Sequence, residues 1–148
     1  MIKQALNGIL VDDDADDRDF FKAACDAIET DVNLKTFNSC KSLFDCLLVE
    51  KYVPDIIFLD INMPTKNGFE CLDQIRQHWD MNERCVIMYS TSSRLKDINK
   101  CFDFKANGYI QKPYSLFGLK SILKQIFEKD WSDSCENLSK HDFIITPN

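Results

Sequence analysis

Ile56-Ile57-Phe58-Leu59-Asp60 is the stretch that decides the fold, because here an apolar run ends in a carboxylate. A parallel strand that is buried on both faces has this composition, with polar groups where its carboxyl end meets solvent. Similar runs occur in order at residues 9–13, 34–37, 86–90 and 108–113, the second of these being the plainest. The chain is therefore predicted to contain five buried, parallel strands.

Apolar residues at helical spacing fill the chain between these runs. The predicted helices lie at Ala15–Ile28, Cys40–Val49, Gly68–Trp79, Leu95–Phe104 and Ser115–Lys129. Five repeats of a strand followed by a helix indicate an α/β domain, a doubly wound parallel sheet with helices on both faces. Ligands bind at the carboxyl ends of such strands, so the polar residues that end them are expected to meet at one edge.

The bulk composition excludes several kinds of partner. The 148 residues suffice for one domain, and their net charge of −6 disfavours binding to nucleic acid or to an anionic membrane. The chain has no apolar run of about 18 residues, which a membrane-spanning helix needs. Its first residues lack the apolar stretch of a signal peptide, and a cytoplasmic location is predicted.

The seven cysteines form no Cys-x-x-Cys pair, and with the two histidines they show no recognisable zinc spacing. Most of them occupy positions where core residues of helices or strands are expected. We therefore predict reduced cysteines that act as small apolar groups, the state expected in the cytosol.

Asp60 is the candidate nucleophile. It ends a fully apolar strand, and residues 61–68 after it form an irregular loop with turn signals. A carboxylate at this place is close to solvent and is backed by a core of low dielectric constant. An isolated Asp at a strand end more often caps its loop, but the polar residues that end the other strands favour the nucleophile.

Asp12 and Asp13 are adjacent carboxylates at the end of the first strand, and they repel each other unless a cation is bound. Magnesium prefers one or two carboxylates together with waters and phosphate oxygens. Asp13, Asp60 and the backbone carbonyl of Asn62 could supply the protein ligands. Asp14, Asp16 and Asp17 are instead interpreted as residues that stabilise a helix start.

Lys112, followed by Pro113, closes the fifth strand, where its charge can bind a phosphoryl oxygen and balance the acidic pair. Ser90 supplies a hydroxyl at the end of the fourth strand. Together with the carboxylates, these residues indicate a magnesium-assisted phosphoryl transfer to an aspartate.

Residues 5–129 resemble the receiver domain of two-component response regulators. Four motifs in order carry the resemblance: the acidic pair, the run from Asp60 to Pro64, the Ser90 hydroxyl and Lys112-Pro113. The resemblance implies a flavodoxin-like, three-layer fold with strand order 2-1-3-4-5. It also implies that Asp60 accepts a phosphoryl group from a histidine kinase or a phosphotransfer protein. No enzymatic activity is expected beyond the chain's own phosphorylation and dephosphorylation.

The resemblance further assigns roles to the other site residues. Mg²⁺ is held by Asp13, Asp60 and the Asn62 carbonyl, Asp12 acts through water, Ser90 and Lys112 bind phosphoryl oxygens, and Tyr109 is the switch aromatic. It also implies a cis Lys112-Pro113 bond. The output is expected to be a changed face on the fourth helix, fifth strand and fifth helix, around Phe104, Tyr109 and Phe117, that binds a target protein or a second copy.

Two departures from the family pattern are visible. Thr91 follows the hydroxyl where such receivers usually have Ala or Gly, and its β-branched side chain is expected to narrow access to Asp60. The run 90–93 resembles the small, stand-alone receivers found with bacterial phytochrome-type kinases. Residues 130–148 form a tail without an output domain, in which Phe143-Ile144-Ile145 could pair with a sheet edge or pack on a partner protomer.

Two other classes of function remain open. A hydrolase of the haloacid-dehalogenase type also uses a strand-end Asp and magnesium, but it needs a second Asp two residues later, where this chain has Asn62. A pseudo-receiver would bind proteins without ever taking phosphate. The intact acidic pair, Asp60 and Lys112 argue against a pseudo-receiver, although the sequence leaves that alternative open.

Overall fold

The computed structural model describes residues 5–78, 81–129 and 142–147. Trp79, predicted at the end of the third helix, lies outside them. The strands are β1 (Leu6–Val11), β2 (Val32–Phe37), β3 (Ile56–Leu59), β4 (Val86–Ser90) and β5 (Gly108–Gln111). The helices are α1 (Ala15–Asp26), α2 (Cys40–Phe44), α3 (Gly68–Gln77), α4 (Leu95–Asp103) and α5 (Leu116–Phe127).

All five strands are parallel and lie in the order β2-β1-β3-β4-β5, which confirms the predicted fold class. The prediction that all five are buried is wrong for β2, an edge strand whose residues are half-buried or exposed. Two apolar layers cover the sheet. The residues of α2, α3 and α4 pack on one face, and those of α1 and α5 pack on the other. The register pairs Val11 with Leu59 and Leu59 with Met88, so neighbouring strands end at one edge of the sheet.

Side-chain caps set where the helices begin. The Asp14 carboxylate accepts hydrogen bonds from the backbone N–H groups of Asp16 (2.8 Å) and Asp17 (3.1 Å), which starts α1 directly after β1. Asn67 and Glu70 form a reciprocal capping box at the start of α3. These caps fix the helix starts close to the site edge of the sheet.

The second predicted helix, Cys40–Val49, is not a uniform α-helix. After α2 the chain continues as a π-helical turn over Asp45–Val49. The extra residue in a π turn rotates the following side chains around the helix axis. In a uniform helix the apolar spacing of Leu43, Leu47 and Leu48 would place all three on one buried face, whereas in the structure Leu48 is exposed and Leu47 is buried.

The prediction that all cysteines are reduced is wrong. Cys40 and Cys71 form a disulfide between α2 and α3, with their Cα atoms 5.9 Å apart, and Cys85 is also disulfide-bonded. No spacing motif marks this pair, because 31 residues separate cysteines that only the packing of two helices brings together. Cys25 and Cys101 are buried free thiols, and burial raises the pKa of each to about 12, which keeps them unreactive.

Gly68 begins α3 in close contact with the backbone behind the candidate nucleophile. A Cβ atom added here would lie 2.2 Å from the Asp60 carbonyl oxygen and 2.7 Å from the Cα of Ile61. The Gly68 N–H also donates a 2.8 Å hydrogen bond to the Ile61 carbonyl. The loop after β3 can therefore close against α3 only where a side chain is absent.

We expect Gly68→Ala to lower the free energy of unfolding by about 3 kcal/mol, since a rigid backbone has to move to admit the methyl group. Urea denaturation measures the change. Gly8→Ala is the matched control, because a Cβ atom at Gly8 would make ordinary contacts of 3.6 Å or more. Equal losses in the two variants would contradict the close approach.

The C-terminal segment, residues 142–147, lies against the outer edge of β5. Ile144 forms a parallel bridge with Tyr109, and Phe143 is buried in the core. Of the two roles predicted for this part of the tail, pairing with a sheet edge is confirmed.

Within the described part of the chain, no helix combines the length and the apolar character that a membrane span requires.

Candidate functional site

Strand ends bring the predicted site residues to one edge of the sheet. Asp12 and Asp13 follow β1, Asp60 follows β3, Ser90 ends β4 and Lys112 follows β5. One carboxylate oxygen from each of the three Asp residues lies within 4.8 Å of the others. Asp12, Asp60 and Ser90 are buried, whereas Asp13 is exposed. The edge is therefore a cluster of three carboxylates that solvent reaches from the side of Asp13.

Lys112 is the cation of this cluster. Its Nζ lies 2.7 Å from Asp12 Oδ2, 2.8 Å from Asp17 Oδ2 and 3.6 Å from Asp60 Oδ2. Its backbone N–H donates to the Ser90 carbonyl at 2.7 Å, which ties it to the neighbouring strand. Burial by itself would lower the pKa of Lys112, but the hydrogen bonds to Asp12 and Asp17 and the charge of Asp60 outweigh burial and raise it above its ordinary value.

The predicted cis bond between Lys112 and Pro113 is wrong, because no peptide bond in the described residues is cis. The trans form is the intrinsically favoured one. The flexible Lys side chain reaches Asp12 from the trans backbone, so the site does not require the less favourable isomer.

Asp17 is a member of the site that the sequence interpretation missed. It was assigned to the helix start, and its backbone N–H does take part in the Asp14 cap. Its carboxylate, however, accepts a 2.8 Å hydrogen bond from Lys112, at nearly the same distance as the Asp12 carboxylate does. One sequence feature could have indicated this role. Asp17 lies in the first turn of the helix that follows β1, and one face of that turn lies toward the carboxyl edge of the sheet.

Asp60 carries an unusual proton affinity. Burial and the nearby charge of Asp12 raise the pKa of Asp60 to about 7, although the charge of Lys112 and a hydrogen bond from the Asn62 backbone oppose the rise. The ionised form of such a carboxyl group is destabilised by burial and by neighbouring negative charge, and a bound cation would stabilise it.

This raised pKa makes stability depend on pH. The unfolded Asp loses its proton near pH 3.9, while the folded one keeps it until about pH 7, so stability falls as the pH rises between these values. We expect the free energy of unfolding of Asp60→Asn, measured without divalent cations, to exceed that of the wild type by more at pH 8 than at pH 5. The increase in this difference is expected to be on the order of 2 kcal/mol. Urea titrations in EDTA measure the difference, and an equal gap at both pH values would contradict the raised pKa.

The carboxylate cluster fits a hard divalent cation such as Mg²⁺, which prefers oxygen ligands. Both carboxylate oxygens of Asp12 already accept hydrogen bonds, Oδ1 from the Asp14 N–H at 3.0 Å and Oδ2 from Lys112. Asp13 and Asp60 are thus the better direct ligands. The role of the Asn62 carbonyl stays a prediction.

Ser90 and Tyr109 form the buried side of the edge. Both are fully buried, and the Tyr109 hydroxyl donates a 2.7 Å hydrogen bond to the Ser92 carbonyl. The Ser92 N–H in turn donates to the Ser90 hydroxyl at 3.2 Å. The Tyr109 ring therefore already lies inside the protein, and it contributes nothing to the exposed face on which it was predicted.

Comparison with known proteins places this geometry in context. The model of the response regulator receiver domain family matches residues 9–126. Response regulator Rcp1 of Synechocystis sp. is 31% identical over 81 residues, covering 55% of this chain and 54% of Rcp1. Hybrid signal transduction histidine kinase C of Dictyostelium discoideum is 33% identical over 105 residues, covering 64% of this chain and 8% of the kinase. The matched regions thus span about half or less of these relatives.

Solved structures share the fold over most of the chain. The phosphorylated cyanobacterial phytochrome response regulator RcpA has a TM-score of 0.70 at 25% identity, covering 84% of this chain and 88% of RcpA. The Mn²⁺-bound form of Rcp1 has a TM-score of 0.69 at 23% identity, covering 90% of this chain and 99% of Rcp1. The bacteriophytochrome response regulator RtBRR has a TM-score of 0.72 at 22% identity, covering 93% and 86% respectively.

Proposed function

Since the chain belongs to the response regulator receiver domain family, we propose that Asp60 accepts a phosphoryl group from the phosphohistidine of a histidine kinase or a phosphotransfer protein. A carboxylate oxygen of Asp60 attacks phosphorus, the P–N bond breaks, and its electron pair stays on the imidazole nitrogen of the donor. The observation that carries the proposal is the meeting of three carboxylates and one Lys at the ends of three strands.

The surrounding residues prepare Asp60 for this step. Asp13, Asp60 and the Asn62 carbonyl would hold Mg²⁺, which would supply positive charge toward the phosphoryl oxygens. Lys112 Nζ lies 3.6 Å from Asp60 Oδ2 and is positioned to bind a phosphoryl oxygen. Asp12 holds Lys112 in place at 2.7 Å and would act on a bound cation through water, as the family resemblance implies. The chain acts on its own Asp60 and on no separate substrate.

The proposed output is a change at the face formed by α4, β5 and α5. A phosphoryl group on Asp60 draws the Ser90 hydroxyl toward it and frees space that the Tyr109 ring can fill, so phosphorylation favours the buried position that the ring already occupies in this structure. Phe104, predicted on this face, packs edge to face on Phe69 of α3 instead. Large apolar side chains are exposed on α4 and α5, among them Leu95 and Phe117. They suit a target protein or a second copy of the chain. The predicted cytoplasmic location is part of this proposal.

Incubation with acetyl phosphate or phosphoramidate and Mg²⁺, followed by intact-mass measurement, tests the proposal. We expect one added phosphoryl group that is stable enough to be detected. A pseudo-receiver would gain no mass under these conditions. A hydrolase of the haloacid-dehalogenase type would instead turn over a phosphomonoester, which we expect this chain to leave unchanged.

Thr91 is expected to slow the reaction. It follows Ser90 directly and is exposed, so its side chain stands on the solvent side of the site. We expect Thr91→Ala to raise the rate of phosphorylation by phosphoramidate severalfold, because access to Asp60 widens. Ser93→Ala, a nearby exposed change, is the control. If Thr91→Ala reacts no faster than the wild type, the side chain does not limit access.

A further inference from the structure

The C-terminal segment, residues 142–147, makes two backbone hydrogen bonds to the predicted switch residue. The Tyr109 N–H donates to the Phe143 carbonyl at 2.9 Å, and the Ile145 N–H donates to the Tyr109 carbonyl at 2.9 Å. Tyr109 lies on β5, the edge strand of the sheet on this side. The segment therefore extends the sheet at the one residue whose ring position is proposed to report phosphorylation.

Side chains attach the same segment to the helices on either side of β5. Phe143 is 1% exposed and packs edge to face on Phe102 of α4, with ring centroids 5.3 Å apart. At the other end, the Gln125 side chain of α5 donates to the Thr146 carbonyl at 2.9 Å. The segment thus spans α4, β5 and α5, the three elements of the proposed output face.

This arrangement restricts the Tyr109 ring. The ring belongs to the buried cluster on the α4 side of the sheet, and Phe143 belongs to the same cluster. The segment pairs with β5 at Tyr109, and Phe143 packs on Phe102 of α4, so Phe143 covers the side of β5 that faces α4. An outward Tyr109 ring is expected to collide with Phe143 there. The docked segment is therefore compatible with the inward ring and opposes the outward one.

We propose that the C-terminal segment is an intramolecular strap that locks Tyr109 inward, so that docking of the strap and phosphorylation of Asp60 stabilise each other. The inference rests on the proposed function, because phosphorylation is what favours the inward ring there. By thermodynamic linkage, a strap that stabilises the phosphorylated state has to bind more firmly in that state. The alternatives are a cover that merely protects a sheet edge from aggregation, and a segment that is exchanged between two copies.

Variants of the full chain separate the coupling from simple coverage. Phe143→Ala removes the buried anchor, and Ile145→Pro removes the N–H that bonds to Tyr109 while keeping Phe143. Ile144→Ala is the matched control, because Ile144 is 42% exposed between these two residues. Beryllofluoride with Mg²⁺ serves as the phosphoryl mimic, and its apparent affinity is measured by amide NMR titration.

We expect Phe143→Ala and Ile145→Pro to bind beryllofluoride about tenfold more weakly than the wild type, while Ile144→Ala stays within twofold of it. In the wild type, beryllofluoride is expected to slow hydrogen exchange of the Ile145 amide, independently of protein concentration. If Phe143→Ala does not fold, Ile145→Pro and the wild-type exchange measurement still decide the question.

Other results would overturn the inference. The variants could all bind beryllofluoride with the affinity of the wild type, and beryllofluoride could leave the hydrogen exchange of the Ile145 amide unchanged. The segment would then only cover the sheet edge, and the proposed function would stand. If protection of the Ile145 amide from hydrogen exchange rises with protein concentration, the segment binds to a second copy of the chain. A wild-type protein that does not respond to beryllofluoride, and gains no mass from phosphoramidate, would remove the proposed function and the strap together.

Discussion

Asp60→Asn is expected to abolish phosphorylation of the chain altogether. The amide keeps the shape of the carboxylate but offers no anionic oxygen to attack phosphorus, so the reaction loses its nucleophile. No neighbour is expected to substitute. Both Asp12 oxygens are held by hydrogen bonds to Asp14 and Lys112, and Asp13 is the candidate cation ligand.

Intact-mass measurement after incubation with phosphoramidate and Mg²⁺ gives the result directly. The matched control is Asp73→Asn, which makes the same chemical change at an exposed carboxylate on α3. We expect the control to be modified as fully as the wild type. A phosphoryl group retained in Asp60→Asn would move the nucleophile to another residue and would contradict the proposed mechanism.

Asp13→Ala is expected to have the second largest effect. Asp13 is the exposed member of the carboxylate cluster, and it takes no part in the hydrogen bonds to Asp14 and Lys112 that hold the Asp12 carboxylate. Its removal is expected to weaken Mg²⁺ binding and to slow phosphorylation by at least about 100-fold, since even changes outside the ligand shell cost 10–100-fold. Stability without Mg²⁺ is expected to rise, because one repelling charge near Asp60 is gone.

Calorimetric titration with Mg²⁺ and the rate of phosphoramidate labelling test this prediction. Asp16→Ala is the control, because it removes an equal charge from an exposed position three residues away. The control distinguishes the loss of a metal ligand from the electrostatic effect of removing one negative charge near the site. Normal Mg²⁺ binding in Asp13→Ala would show that the cation, if it binds, takes other ligands.

The main site could be located from the sequence because strands are short and regular. Four of the five runs, all except the one at β2, end in a polar residue. Because parallel strands end at a common edge, Asp12, Asp60 and Lys112 had to approach one another once the strands were parallel. Resemblance to a family supplied the order of the strands. The local pattern of apolar residues carried this information without any knowledge of packing.

Contacts between elements far apart in sequence could not be predicted in the same way. Asp17 was interpreted as a helix-start residue, because the sequence does not show how α1 is rotated against the sheet, and that rotation brings its carboxylate to Lys112. The disulfide of Cys40 with Cys71 depends on the packing of two helices on one face of the sheet.

Chain pattern alone thus sufficed for the parallel sheet and for the residues at its carboxyl edge, since the apolar runs of β1, β3, β4 and β5 are a local property that burial selects. The partners of Lys112, the inward Tyr109 ring and the docking of Phe143 depended on tertiary structure. The physical reason is that each of these is a choice among several positions of similar local energy, and that choice is made by the packing of elements that are distant in the chain.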